Sequence, residues 1–216
     1  MNDATTLTTP LTHTAPRGAR HGLRDVLGAD AWHRLPEAVR ERFADTATAA
    51  TYAGAFDIVR ASWLGRMFAW LGVLFGTPVA PRCGSDVAAY VMVRPNDAGV
   101  VWTRIYRWAD GSSHHVRSTK VVTDDGRLVE KLPARLNMPL DVFEAGRVLH
   151  FVSREYYFDL GLGLHLPLPT LLSPGCTHVE HVDLGHGWFR FTMIVTHPVF
   201  GEMFFQTGRF CATELA

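Results

Sequence analysis

The stretch VAAYVMVRPNDAGVVWTRIYRW, residues 87–108, decides the fold. Two runs rich in β-branched and aromatic residues flank a Pro95-Asn96-Asp97-Ala98-Gly99 turn, which together read as a β-hairpin. The same grammar repeats downstream. Residues 100–108 lead to Asp110-Gly111-Ser112, and residues 115–123 lead to Asp124-Asp125-Gly126. Segments 127–132, 136–143, 147–158, 177–183, 188–197 and 203–213 continue the series, with turns at Ala145-Gly146 and Leu184-Gly185-His186-Gly187. Upstream, TYAGAFDIVRAS from Thr51 adds a further strand. About ten strands joined by short turns make an antiparallel meander, and a sheet of that size curls or closes. The expected fold is therefore α+β but mostly β, an antiparallel barrel or strongly curved sheet with a helical cap.

The cap comes from two places. Residues 27–44 carry Trp32, Leu35, Val39 and Phe43 at helical spacing, with Asp30 placed to cap a helix start. Residues 63–75, WLGRMFAWLGVLF, form an apolar run with glycines at 65, 72 and 76. It falls short of the roughly 20 residues that span a bilayer, so something must cover it: the mouth of a sheet, a partner or a lipid surface. A strand, a helical insert and then a meander follow the layout of fatty-acid-binding-protein-type barrels. In that layout the helix crosses an open barrel end and acts as a lid. Residues 1–22, rich in Thr, Pro and Ala, read as a flexible tail, and residues 23–216 as one domain.

The 21 basic and 21 acidic residues balance, which provides no field for nucleic acid or an anionic membrane surface. Three cysteines without a CxxC pair suit neither a disulfide framework nor a zinc ribbon. The N-terminus lacks the basic and apolar regions of a secretion signal, so a cytoplasmic setting is expected.

Within strand 100–108, Trp102, Arg104, Tyr106 and Trp108 alternate onto one face, and large rings in a row belong inside. An inward Arg104 needs a carboxylate, from Glu180 or from a ligand's acid group. In HVEHVDLGH, residues 178–186, a loop at 184–187 would set Glu180 opposite Phe191 and His178 opposite Met193. His178 and Glu180 would then share the interior with Phe189 and Phe191, leaving His181, Asp183 and Arg190 on a solvated face. Two ligands begin a zinc or iron site without completing it, so no metal is expected. In YYFDLGLGLHLPLP, residues 156–169, Leu166 stands where a dinucleotide loop needs glycine, and Pro167 and Pro169 oppose a following helix. Gly161 and Gly163 suit a bending strand at the barrel rim instead. There is no G-x-S-x-G nucleophile motif, and no cofactor is indicated.

Several ordered pieces carry a family resemblance: Leu35-Pro36 with Val39-Arg40; Gly54 to Arg60; Trp102-x-Arg104 with Tyr106; Phe158-x-Leu160-Gly161 with Leu166-Pro167-Leu168-Pro169; and Gly187-x-Phe189-x-Phe191 leading to Pro198-x-x-Gly201. The chain resembles an uncharacterised bacterial domain found alone or fused behind saccharopine-dehydrogenase-like and other nucleotide-binding reductase modules. The resemblance implies a reductase partner and no activity. From the residues, the expected function is binding of an apolar or amphipathic small molecule, with an acidic head group, among Trp102, Arg104, Tyr106, Trp108, His178, Glu180, Phe189 and Phe191. The alternatives are a cavity enzyme of isomerase or hydratase type using Glu180 and His178, and an interaction module docking through the apolar helix.

Overall fold

The computed structural model describes residues 22–44, 49–73 and 79–213. Residues 1–21 of the tail expected over 1–22 and the last two residues of the expected apolar helix, 74 and 75, lie outside the described residues. Helices α1 (Leu23–Leu27), α2 (Ala29–Arg34) and α3 (Glu37–Phe43) precede strand β1 (Ala50–Ala61), and α4 (Trp63–Val73) follows it. Then come β2 (Gly84–Asn96), β3 (Gly99–Arg107), β4 (Ser113–Val122), β5 (Leu128–Lys131), β6 (Leu136–Ala145), β7 (Val148–Ser153), β8 (Tyr157–Gly161), β9 (Leu164–Pro167), β10 (Cys176–Gly185), β11 (Trp188–His197) and β12 (Gly201–Thr213).

Ten strands close into an antiparallel barrel. Their order is β5-β4-β3-β2-β1-β12-β11-β10-β7-β6, and β6 pairs back onto β5. Closure removes the exposed sheet edges that a meander of this length would otherwise leave. The β8–β9 hairpin hangs outside the ring, held by Leu136↔Phe158 and Asn137↔Tyr157. No helix among the described residues is long and apolar enough to cross a membrane.

Directly paired residues share a face, so register fixes what lies inside. The inward row Tyr52↔Val91↔Arg104↔Val116 runs around four strands. Phe56 stacks on Tyr106 with ring centroids 5.0 Å apart. Gly208, paired with Phe56, makes room for this packing: a Cβ there would lie 2.7 Å from the Phe56 Cα.

The direction of β1 distinguishes the two barrel ends. At its start sit α1–α3, and Phe43 of α3 stacks on Trp102 at 5.5 Å and meets His181 at 4.9 Å. Arg34 anchors this cap by an ion pair to Glu144 at the end of β6, 2.5 Å long. At the other end, Ser62 Oγ accepts the Gly65 amide at 3.0 Å, capping the start of α4. A Cβ at Gly65 would fall 1.9 Å from the Met203 carbonyl oxygen, so glycine lets α4 seat directly on β12.

Two expected segments fold differently. The single strand expected over 147–158 breaks after Ser153, because Tyr156 turns inward to share a 2.7 Å hydrogen bond with Thr177 and the chain then pairs with the start of β6. Gly161 and Gly163 do not bend one strand. They flank Leu162 in the tight turn of the β8–β9 hairpin, where φ is +85°, +53° and +77° in chain order.

Candidate functional site

Inside the barrel lies a cavity of about 550 Å³, walled mainly by apolar side chains of the strands such as Leu140, Phe151, Phe191 and Met193. Leu64, Met67, Phe68 and Leu71 of α4 close its outer end, together with Leu171, Leu172 and Phe200. Its volume falls within the roughly 300–1,000 Å³ of small-molecule sites. Arg104, Lys120, Glu130 and His181 also line it.

Hairpin register assembles this polar group. Lys120 on β4 pairs with Glu130 on β5, and Nζ donates to Oε2 at 3.0 Å. Lys120 also sits over the Trp102 ring, 5.2 Å from its centroid. Arg104 lies 5.8 Å from the Phe191 ring centroid and adds its positive field to that pair. Burial pushes the Glu130 carboxyl up, but Lys120, Arg104 and hydrogen bonding outweigh that and hold it below the usual carboxylate range. Burial lowers Lys120, with Glu130 opposing. Two guanidinium or ammonium cations therefore face one carboxylate.

His181, only 4% exposed, is ringed by Phe43, Phe151, Phe189, Phe191 and Trp102. Burial first, then the cations Arg42, Lys120 and Arg104, hold it well below the ordinary histidine range, so it is neutral. Its Nδ1 and the Trp102 Nε1 are buried without hydrogen-bond partners among the described residues. Both residues line the cavity.

The expected inward row is present: Trp102, Arg104, Tyr106 and Trp108 are all buried, as are Phe189 and Phe191. Of these, Trp102, Arg104 and Phe191 line the cavity. Tyr106 packs beneath it, donating to Gln206 Oε1 at 2.9 Å, and Trp108 stacks on Tyr106.

His178 and Glu180 do not join them, and this corrects the register expected from sequence. The hairpin turns on His186-Gly187, with Gly185 paired to Trp188 and Leu184 bulged out, so Glu180 pairs with Thr192 and His181 with Phe191. The bulge shifts pairing by one residue, and in a strand that exchanges the two faces. His181 turns inward from the face expected to be solvated. His178 and Glu180 point outward from the barrel, where they meet His150 of β7, paired directly opposite Glu180. Arg104 accordingly lies in the field of Glu130 rather than Glu180, while the ion pair of Glu130 is made by Lys120.

Sequence reading also passed over Lys120 and Glu130. Their signal was present, since both are equidistant from Asp125 in the turn and hairpin symmetry pairs them.

Residues 35–210 match the family described as a domain of unknown function, DUF4166. No curated protein and no solved structure matches.

Proposed function

The chain belongs to the DUF4166 family, and from that premise we propose that its barrel binds an apolar or amphipathic small molecule whose acidic head group meets Arg104 and Lys120. The excess of cation over carboxylate at the base of an apolar cavity carries this reading. A buried positive charge without its own counter-ion is costly, and a ligand carboxylate supplies one through charge-assisted hydrogen bonds. The unpartnered Trp102 Nε1 and His181 Nδ1 add polar capacity beside it. An isomerase or hydratase built on Glu180 and His178 loses its geometric basis, because both side chains leave the cavity wall on its outer side. A second reading, docking of a protein through α4, draws on the outward Trp63 and Trp70. Association with a saccharopine-dehydrogenase-like reductase, implied by the family resemblance, would make the cavity a carrier for that enzyme's substrate.

The deciding experiment is a native mass spectrum of the purified protein. The expected result is a bound species that, after release, proves to be an acidic amphiphile. A neutral lipid in its place would remove the role given to Arg104 and Lys120.

Entry is assigned to the α4 end. The helix contributes few contacts beyond its seat on β12, and elements held this way open below the global unfolding free energy. Its amides should exchange with solvent faster than those of β11 and β12, and dodecanoate should slow them. Protection of α4 equal to the central strands, unchanged by dodecanoate, would place entry elsewhere.

A further inference from the structure

We propose that His150, His178 and Glu180 form a binding site for a divalent transition metal of the zinc class on the outer wall of the barrel. This inference does not rest on the cavity reading. The three residues come together through register: His150 on β7 pairs directly with Glu180 on β10, and His178 lies on the same outward face of β10. The ligand atoms already converge. His150 Nδ1 lies 3.0 Å from His178 Nε2 and 3.7 Å from Glu180 Oε1, while His178 Nε2 lies 3.9 Å from that same oxygen.

A metal bound at about 2.0–2.2 Å in tetrahedral geometry separates neighbouring ligand atoms by roughly 3.3–3.6 Å. The three observed distances bracket that range, so a cation seats with shifts of a few tenths of an ångström on each side. Two imidazole nitrogens and one carboxylate oxygen are the donor set that suits zinc and its neighbours rather than calcium or magnesium. The ligands stand on two paired strands, and the His150 ring is held flat against Phe143, 4.8 Å away and 11° from parallel. Such support fixes a ligand's direction before the metal arrives. At 3.0 Å one imidazole donates to the other, and a metal between them requires the donating ring to carry its proton on its other nitrogen.

All three side chains are partly exposed, so a three-ligand site here keeps a position for water or an exchangeable ligand. That distinguishes it from a closed structural site.

The test uses the full chain, freed of metal by chelation, titrated with Zn²⁺ by calorimetry and with Co²⁺ by visible absorption. The expected result is one stoichiometric site whose affinity falls at least about tenfold in His178→Gln and again in Glu180→Gln. His150→Gln should behave alike, and circular dichroism of each variant checks that the barrel is intact. Absence of stoichiometric uptake would leave only a cross-strand histidine hydrogen bond and overturn the proposal. Uptake unchanged in all three variants would assign the metal to other histidines and overturn it equally.

Discussion

Replacing Glu130 by leucine is expected to lower the stability of the folded protein by about 3–5 kcal/mol at neutral pH. The reason is the company the carboxylate keeps. Glu130 is buried, accepts a 3.0 Å hydrogen bond from Lys120, and shares the cavity lining with Arg104. Removing it strands two cations in an apolar environment, where desolvation has no offsetting partner. Replacing Lys120 and Glu130 together, as Lys120→Met with Glu130→Leu, should recover most of the loss, because neither buried charge of the pair then remains.

The pH dependence has a defined sign. Glu130 titrates below its ordinary value in the fold, so its stabilisation is present above the unfolded value of about 4.3 and fades as pH falls through the folded one. The gap between wild type and Glu130→Leu should therefore be full at neutral pH and shrink on acidification. The variant should instead gain stability as pH rises toward about 10, since its unpaired Lys120 deprotonates more readily folded than unfolded. Urea denaturation of the three proteins across pH measures both effects. A loss below about 1 kcal/mol for Glu130→Leu would show that Lys120 reaches water and that the cavity floor is not desolvated.

Arg104→Met should weaken dodecanoate binding by about ten- to a hundredfold, the equivalent of a lost charge-assisted hydrogen bond. Methionine keeps the unbranched stem and the apolar wall, so dodecanol should bind the variant and the wild type alike. Stability should stay within about 1 kcal/mol, because the substitution also removes a buried cation that Glu130 already shares with Lys120. Parallel titrations of acid and alcohol separate head-group recognition from chain burial. Wild-type protein that fails to distinguish dodecanoate from dodecanol would sink the acid-head-group assignment while leaving an apolar binder.

How far the sequence reached can be followed residue by residue. Alternation in residues 100–108 places Trp102, Arg104, Tyr106 and Trp108 on one face, and the size of those rings turns that face inward. Both properties are local, since side-chain direction in a strand needs only the neighbouring residues. Turn chemistry likewise marked the hairpins, and their number forced the sheet to curl. The apolar run at 63–75 was legible for the same reason: its spacing carries no charge except Arg66.

The tertiary structure decided what depends on partners distant in sequence. Closure required β6 to pair with β5 and also with β7, and the first strand, β1, to meet the last, β12. No local pattern says which strand lies beside which. The bulge at Leu184 decided the face of every residue from Cys176 to Asp183, because a pairing slip of one position reverses a period of two. Through that single extra residue, His181 entered the aromatic interior while His178 and Glu180 came out to meet His150. Composition and spacing thus determined a barrel with an aromatic, arginine-bearing inner strand. Which charges share its cavity, and which stand together outside it, was settled by register, a property of strand pairs rather than of any one segment.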